Sequence, residues 1–154
     1  VIASHVIGLF GNNIEKVVAL AVLMPIVASM GGNAATQTLT VTVRLIATKE
    51  LTTENLSKIV GKEFSVGFFN GLLFSLISGV FVYFWFYELK LSILISVAMI
   101  INMVCAGLSG IVIPVILNKS KIDPAIASTV FVTTVTDVVG FLSFLGLAGM
   151  ILGI

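Results

Sequence analysis

The sequence predicts an all-α integral membrane protein: a bundle of five transmembrane helices, the first of them truncated. Three observations carry that expectation. The chain of 154 residues is 58% hydrophobic and only 10% charged, with a mean hydropathy of +1.21, whereas a soluble domain is about one quarter charged. No Asp, Glu, Lys or Arg occurs between Lys16 and Arg44, between Glu63 and Glu88, or between Lys90 and Lys119. Each gap exceeds the ~20 residues that a spanning helix needs. Beyond Asp123 the single charge is Asp137, inside an apolar run over 128–148 that is itself long enough to cross a bilayer.

Taken in order, residues 1–10 are too few to span and read as the end of a helix whose start precedes them. The chain is therefore expected to begin inside a longer protein. It lacks the basic segment and cleavage site of a signal peptide. Further helices are expected over 16–47, 58–87, 91–118 and 124–152, separated by turns at 11–13, 47–55, 87–90 and 118–124, all polar or rich in breakers. Asn55 or Ser57 is the expected cap of the third helix. Asp123 is the expected cap of the last, with Pro124 at its first position. The third helix carries Gly67, Gly71, Ser75 and Gly79, and the fourth carries Ala106 and Gly110; small residues at every fourth position predict close helix contacts rather than ligand contacts. Tyr83, Trp85 and Tyr87 gather at one end of the third helix, as an interfacial aromatic belt does. The whole of 1–154 reads as one transmembrane domain without internal repeats.

Orientation follows from the basic residues. The 44–63 connection holds Arg44, Lys49, Lys58 and Lys62, and the 118–124 connection holds Lys119 and Lys121; the other two connections hold Lys16 and Lys90. The positive-inside rule places the 44–63 and 118–124 loops in the cytoplasm and the C-terminus outside. The expected location is the plasma (inner) membrane, crossed several times, with lipid as the surrounding partner.

Several functions are disfavoured. Cys105 is the single cysteine, so it forms no internal disulfide, and it reads as a packing residue. His5 is a lone histidine, a poor start for a metal site. The basic residues form no patch of the kind that nucleic acid needs. Enzyme chemistry has little to work with: there is no second acid at the depth of Asp137, no deep histidine for a serine nucleophile, and no CxxC, HExxH or phosphate-binding Gly-Lys loop.

Two helices are nevertheless polar where lipid-facing helices are not. In the second, Ser29, Gly32, Asn33, Thr36, Gln37 and Thr40 recur at spacings that place them on one face. Pro25 lies one turn earlier, cannot donate to the carbonyl of Ala21, and should kink or open the helix. Gly31 and Gly32 expose backbone to close approach. Irregular or exposed backbone at this depth is tolerated only beside protein or a water-filled cavity, so 25–37 is expected to line a path. In the last helix Thr129, Thr133, Thr136, Asp137 and Gly140 share a face. A carboxylate at the bilayer centre costs roughly 2.5–3.5 kcal/mol even on lenient insertion scales. Hydroxyl and carboxylate oxygens suit a hard cation and its water shell. The competing explanation is a Thr stripe bonded to its own helix carbonyls, with Asp137 protonated or bonded to a neighbouring helix.

The stretch from Pro25 through Ser29, Gly31, Gly32, Asn33 and Thr36 to Gln37, followed by Arg44 to Ala47, resembles the signature second helix of the MgtE magnesium channels and transporters. Asp123-Pro124 and, further on, Thr133, Thr136, Asp137 and Gly140 resemble the last helix of the same family with its acid. The two motifs occur in the same order, and the resemblance covers nearly the whole chain. It implies a homodimer with a central path lined by the second and fifth helices of each subunit. It implies that Asp137 holds Mg²⁺ with most of the water shell retained, with Thr133 one turn before it at the same site. Ser29 and Gly32 fall where the second helix approaches the ion through backbone carbonyls; Asn33, Thr36, Pro25, Thr129, Thr136 and Gly140 are the expected lining. Some relatives carry Asn where this chain has Thr129 and Gly where it has Ser29. The family's cytoplasmic Mg²⁺-sensing and CBS domains precede the membrane part and lie outside these residues.

The expected function is thus a Mg²⁺-selective pore, with Mg²⁺ as the bound and transported ion, and no enzyme activity. An ion-coupled divalent-cation exchanger using Asp137 as a proton or Na⁺ relay is the alternative. A structural membrane subunit is a third reading, and two separate polar stripes speak against it.

Overall fold

The computed structural model describes residues 1–52 and 54–153. The side chains of Glu15, Lys16, Ile126 and Ala127 lie outside the description, as does Thr53 of the expected 47–55 turn. The described residues form six helical segments: α1 (Ile2–Leu9), α2 (Gly11–Lys16), α3 (Val18–Ala47), α4 (Leu56–Phe86), α5 (Leu89–Lys119) and α6 (Pro124–Leu152). Four stretches are long and apolar enough to cross a membrane, Val18–Ala47, Leu56–Phe86, Leu89–Lys119 and Ser128–Leu152. The chain is an all-helical, multi-pass membrane protein.

The N-terminal part departs from the expectation. Gly11, Asn12 and Asn13 read as a turn because Asn competes for backbone hydrogen bonds. Instead the backbone ladder passes through them, Ile14 N–H donating to the Phe10 carbonyl at 3.1 Å and Val17 N–H to the Asn13 carbonyl at 3.1 Å. The interruptions fall on either side, at Phe10 with φ −110°, ψ 19° and at Val17, which is extended at φ −134°, ψ 90°.

The long helices begin and end for local reasons. The Asp123 carboxylate accepts from the Ala125 N–H at 2.9 Å and caps α6, with Pro124 in its first turn. Asn55 stands at the start of α4 but does not cap it: its Oδ1 accepts from the Thr52 N–H at 2.9 Å, inside the loop. Tyr87 ends α4 in the left-handed conformation at φ 53°. α3 runs through Pro25 and α5 through Pro114 without interruption, so the expected opening at Pro25 is absent as a break in the helix. Pro114 is buried among the neighbouring helices, whereas Pro25 is exposed on the subunit.

α5 is the central helix, packed against α3, α4 and α6; α6 also packs against α3 and α1. The α4–α5 contact is the predicted ridge. A Cβ on Gly67 would lie 2.8 Å from the Met103 carbonyl oxygen, and one on Gly71 would lie 3.0 Å from the Ile100 Cα. Backbones approach that closely only over glycine. The far face of α4, with Phe69, Leu76, Phe84 and Trp85, is exposed on the subunit, as a lipid-facing side is. One apolar cluster joins Leu20, Leu23, Val27, Leu94, Ile95, Phe144 and Leu145. A smaller one joins Ala35, Leu39, Ala106 and Val132.

Candidate cation path

α3 is buried along Leu20, Leu23, Met24, Val27, Gly31, Ala35, Leu39 and Thr42. That row uses up the apolar side of the helix. The polar row is left on the opposite side: Ser29, Asn33, Gln37 and Thr40 are exposed, and Gly32 and Thr36 are half-buried. A Cβ on Gly32 would meet nothing within 4 Å, whereas one on Gly31 would collide with the Asn102 amide. Of the adjacent glycines, one faces the bundle and the other faces out. Pro25 is exposed on the outer side as well.

α6 lies beside α3. Gly140 and Gly31 both abut the Asn102 amide, while Val132 shares a cluster with Ala35 and Leu39. Position numbers therefore fall along α6 as they rise along α3, and the two helices run antiparallel. Asp137 is three residues before Gly140, about 4.5 Å along the axis, which puts it at the level of α3 between Gly31 and Ala35. The two polar stripes thus lie at one depth.

The expected face of α6 divides. Thr129 is exposed and Thr133 and Asp137 are half-buried, whereas Thr136 and Gly140 are buried within the subunit. Gly140 stands against the Asn102 amide, where a Cβ would lie 2.8 Å from Nδ2. These two face the interior of the subunit rather than its outer surface.

The hydroxyls of Thr133, Thr136, Thr36 and Thr40 donate within their own helices. Thr133 donates to the Thr129 carbonyl at 2.9 Å, Thr136 to the Thr133 carbonyl at 3.0 Å, Thr36 to the Gly32 carbonyl at 2.8 Å and Thr40 to the Thr36 carbonyl at 2.8 Å. This is the bonding that the competing explanation of the Thr stripe required. It does not disqualify a path. A hydroxyl whose hydrogen is fixed on a carbonyl turns its lone pairs outward, and lone pairs are what a cation or its water shell meets. None of these bonds reaches the Asp137 carboxylate. Among the described residues no group of three or more His, Cys, Asp or Glu could enclose a bare metal ion. A single carboxylate with hydroxyls and carbonyls nearby suits an ion that keeps its water.

Asn102 on α5 escaped the sequence reading. It is fully buried, and its Nδ2 donates to the Val27 carbonyl of α3 at 2.7 Å. The available signal was an amide in the middle of an otherwise apolar span. One residue has no periodicity, so a search for stripes passes over it.

A family model described as a divalent cation transporter, MgtE, matches residues 24–147. The chain belongs to the MgtE family. The match runs from just before Pro25 to just past Phe144, and so takes in both polar stripes and Asn102. The chain is also similar to magnesium transporter MgtE of Bacillus subtilis, 32% identical over 147 residues covering 96% of this chain and 33% of that protein. It is 33% identical over 143 residues to the Enterococcus faecalis magnesium transporter MgtE, covering 90% of this chain and 32% of the relative. With the Thermus thermophilus protein of the same description the identity is 31% over 151 residues, 98% of this chain and 33% of the relative. The chain thus spans about a third of the length of these curated relatives.

Proposed function

We propose that this chain forms the membrane pore of a Mg²⁺ channel, a homodimer in which α3 and α6 of each subunit line a central path. The observation that carries the reading is the polar row of α3 left on the outside of the subunit at the level of Asp137. Hydrocarbon cannot satisfy such a row. A second copy facing it across water can, and that arrangement brings two copies of Asp137 to one level. The names of the MgtE relatives agree with the choice of ion.

The chemistry follows from the ligands. Mg²⁺ sheds water reluctantly. Asp137 therefore holds the ion largely through its water shell, and two carboxylates balance the double charge that brings it to this depth. The Thr133 and Ser29 hydroxyls accept hydrogen bonds from those waters, and Gly32 leaves them room beside the α3 backbone. Thr129, Asn33, Thr36 and Pro25 line the approach, with Thr136 and Gly140 as the wall behind. Each ion gains about 4.6 kcal/mol per 100 mV, twice the single-charge value of ~2.3, so the membrane potential drives entry. The basic 44–63 and 118–124 connections face the cytoplasm and the C-terminal end of α6 faces outside. In the full-length protein, N-terminal cytoplasmic sensor domains are the partners that gate the path.

The test is Mg²⁺ uptake into vesicles holding the full-length protein. Asp137→Ala is expected to abolish the flux while the protein stays folded and assembled. Normal uptake in that variant sinks the proposal. A flux that depends on a counter-ion, without ohmic single-channel current, identifies an exchanger instead.

A further inference from the structure

We infer that Asn102 is a positioning residue for the path: its side-chain amide ties α5 to the backbone of α3 in a notch that Gly140 of α6 completes, and so sets the relation between Gly32 and Asp137. The inference rests on the pore reading above and deepens it.

The first observation is a directional bond. Asn102 is fully buried in the middle of α5 and donates from Nδ2 to the Val27 carbonyl of α3 at 2.7 Å. In an α-helix that carbonyl already receives the N–H four residues on, which is Gly31. The amide therefore adds a second donor to a satisfied acceptor, a contact that reports position rather than rescue of an orphan.

The second observation is the space made for it. A Cβ on Gly31 would overlap the Asn102 amide nitrogen, and one on Gly140 would lie 2.8 Å from the same atom. Glycines on two different helices thus open a notch for one amide on a third. Each glycine adjoins the path, Gly31 next to Gly32 and Gly140 one turn after Asp137.

The third observation is what the arrangement leaves undone. Asn102 Oδ1 is buried without a hydrogen-bond partner among the described residues. An unpaired buried amide oxygen lowers stability. Leucine at the same place would avoid that loss. What an amide supplies and leucine does not is the bond to α3, so geometry rather than stability accounts for the residue.

Losing that bond frees α3 to slide or turn against α5, and so against α6, whose Gly140 packs on the same amide. The Gly32 backbone then no longer stands at a fixed distance from Asp137. Mg²⁺ demands a regular octahedral shell, whereas Ca²⁺ accepts variable geometry and number. A loosened path therefore admits Ca²⁺ more readily, and discrimination falls before conduction does.

The experiment uses full-length protein in lipid vesicles and reads the Mg²⁺-to-Ca²⁺ permeability ratio from reversal potentials. It also reads the rate of amide hydrogen exchange over residues 25–37. In Asn102→Leu the ratio is expected to fall by about tenfold, the population shift that one interhelical hydrogen bond at the strong end of its range can hold, and exchange over 25–37 is expected to quicken. Gly31→Ala, which drives a methyl into the amide, should lower both the ratio and the yield of folded protein. Combining Gly31→Ala with Asn102→Ala should restore the yield and leave the ratio low, and this pair decides the matter if Asn102→Leu does not accumulate. A ratio within about twofold of wild type in folded Asn102→Leu or in the pair, well inside the one hydrogen bond at stake, overturns the inference. If the wild-type protein passes no Mg²⁺, the pore reading fails separately. The exchange rates then judge Asn102 alone: quickened exchange upholds the pin, and unchanged exchange overturns it.

Discussion

The Thr38 hydroxyl of α3 donates to Oε2 of Glu63 on α4 at 3.0 Å. The pair borders a small cavity of about 60 Å³ that Gln37, Asn70, Gly67, Met103 and Gly107 also line. In the sequence Glu63 merely marks the edge of a charge-free gap. In the fold it stands two turns inside α4 and joins that helix to the side of α3 next to the polar row. Glu63→Gln keeps an acceptor for Thr38 and is expected to leave thermal unfolding in detergent nearly unchanged. Glu63→Leu strands the Thr38 side chain against an apolar group and is expected to cost about 1 kcal/mol, read as a lower Tm. Equal melting of the two variants would show that the bond contributes nothing.

Gly67 and Gly32 should respond oppositely to the same methyl group. At Gly67 the added Cβ would lie 2.8 Å from a backbone oxygen of α5, so Gly67→Ala must push α4 and α5 apart. A loss of about 1–3 kcal/mol, the range for overpacking, is expected in unfolding measurements. At Gly32 the methyl meets nothing inside the subunit. Gly32→Ala should therefore melt like the wild type and yet conduct Mg²⁺ severalfold more slowly, because the methyl enters the water-filled path. A Gly32→Ala protein that melts early but conducts normally would place Gly32 in a packed contact instead.

Asp123 is expected to matter through one hydrogen bond. Its carboxylate accepts from the Ala125 N–H at 2.9 Å. Asp123→Ala removes the cap of α6 at a cost of about 1 kcal/mol, whereas Asp123→Asn retains an acceptor and should cost only a small part of that. Unfolding of the two variants side by side checks the difference. Equal loss in both would mean that the charge, and not the cap, holds the helix start.

The fold was legible where one physical constraint dominates a whole segment. Lipid forbids charge, so the charge-free gaps mark the long helices within a few residues. Close backbone approach demands small side chains, so Gly67, Gly71, Ser75 and Gly79 foretold a close helix contact, and the fold supplied its partner, α5. Asp123 before Pro124 announced the start of α6. The local competition at Asn12 and Asn13 misled, because backbone bonding from Phe10 to Val17 outweighs the preference of Asn for turns. At Pro25 the expected opening did not appear as a break, and α3 continues through it. The stripes on α3 and α6 were visible as spacing. Spacing does not say how a face divides between a subunit's outside and its interior, so the burial of Thr136 and Gly140 emerged only from packing. Asn102 needed three dimensions, because its partners Val27, Gly31 and Gly140 lie far from it in sequence.

The central claim is that two copies of Asp137 share one hydrated ion on a twofold axis. A structure of the full-length protein in lipid at high Mg²⁺ tests it most directly. The account predicts density for an ion and its waters midway between the two Asp137 carboxylates, with the polar rows of α3 alongside. Carboxylates turned toward lipid or a dry helix contact, remote from each other and with no density between them, would contradict it.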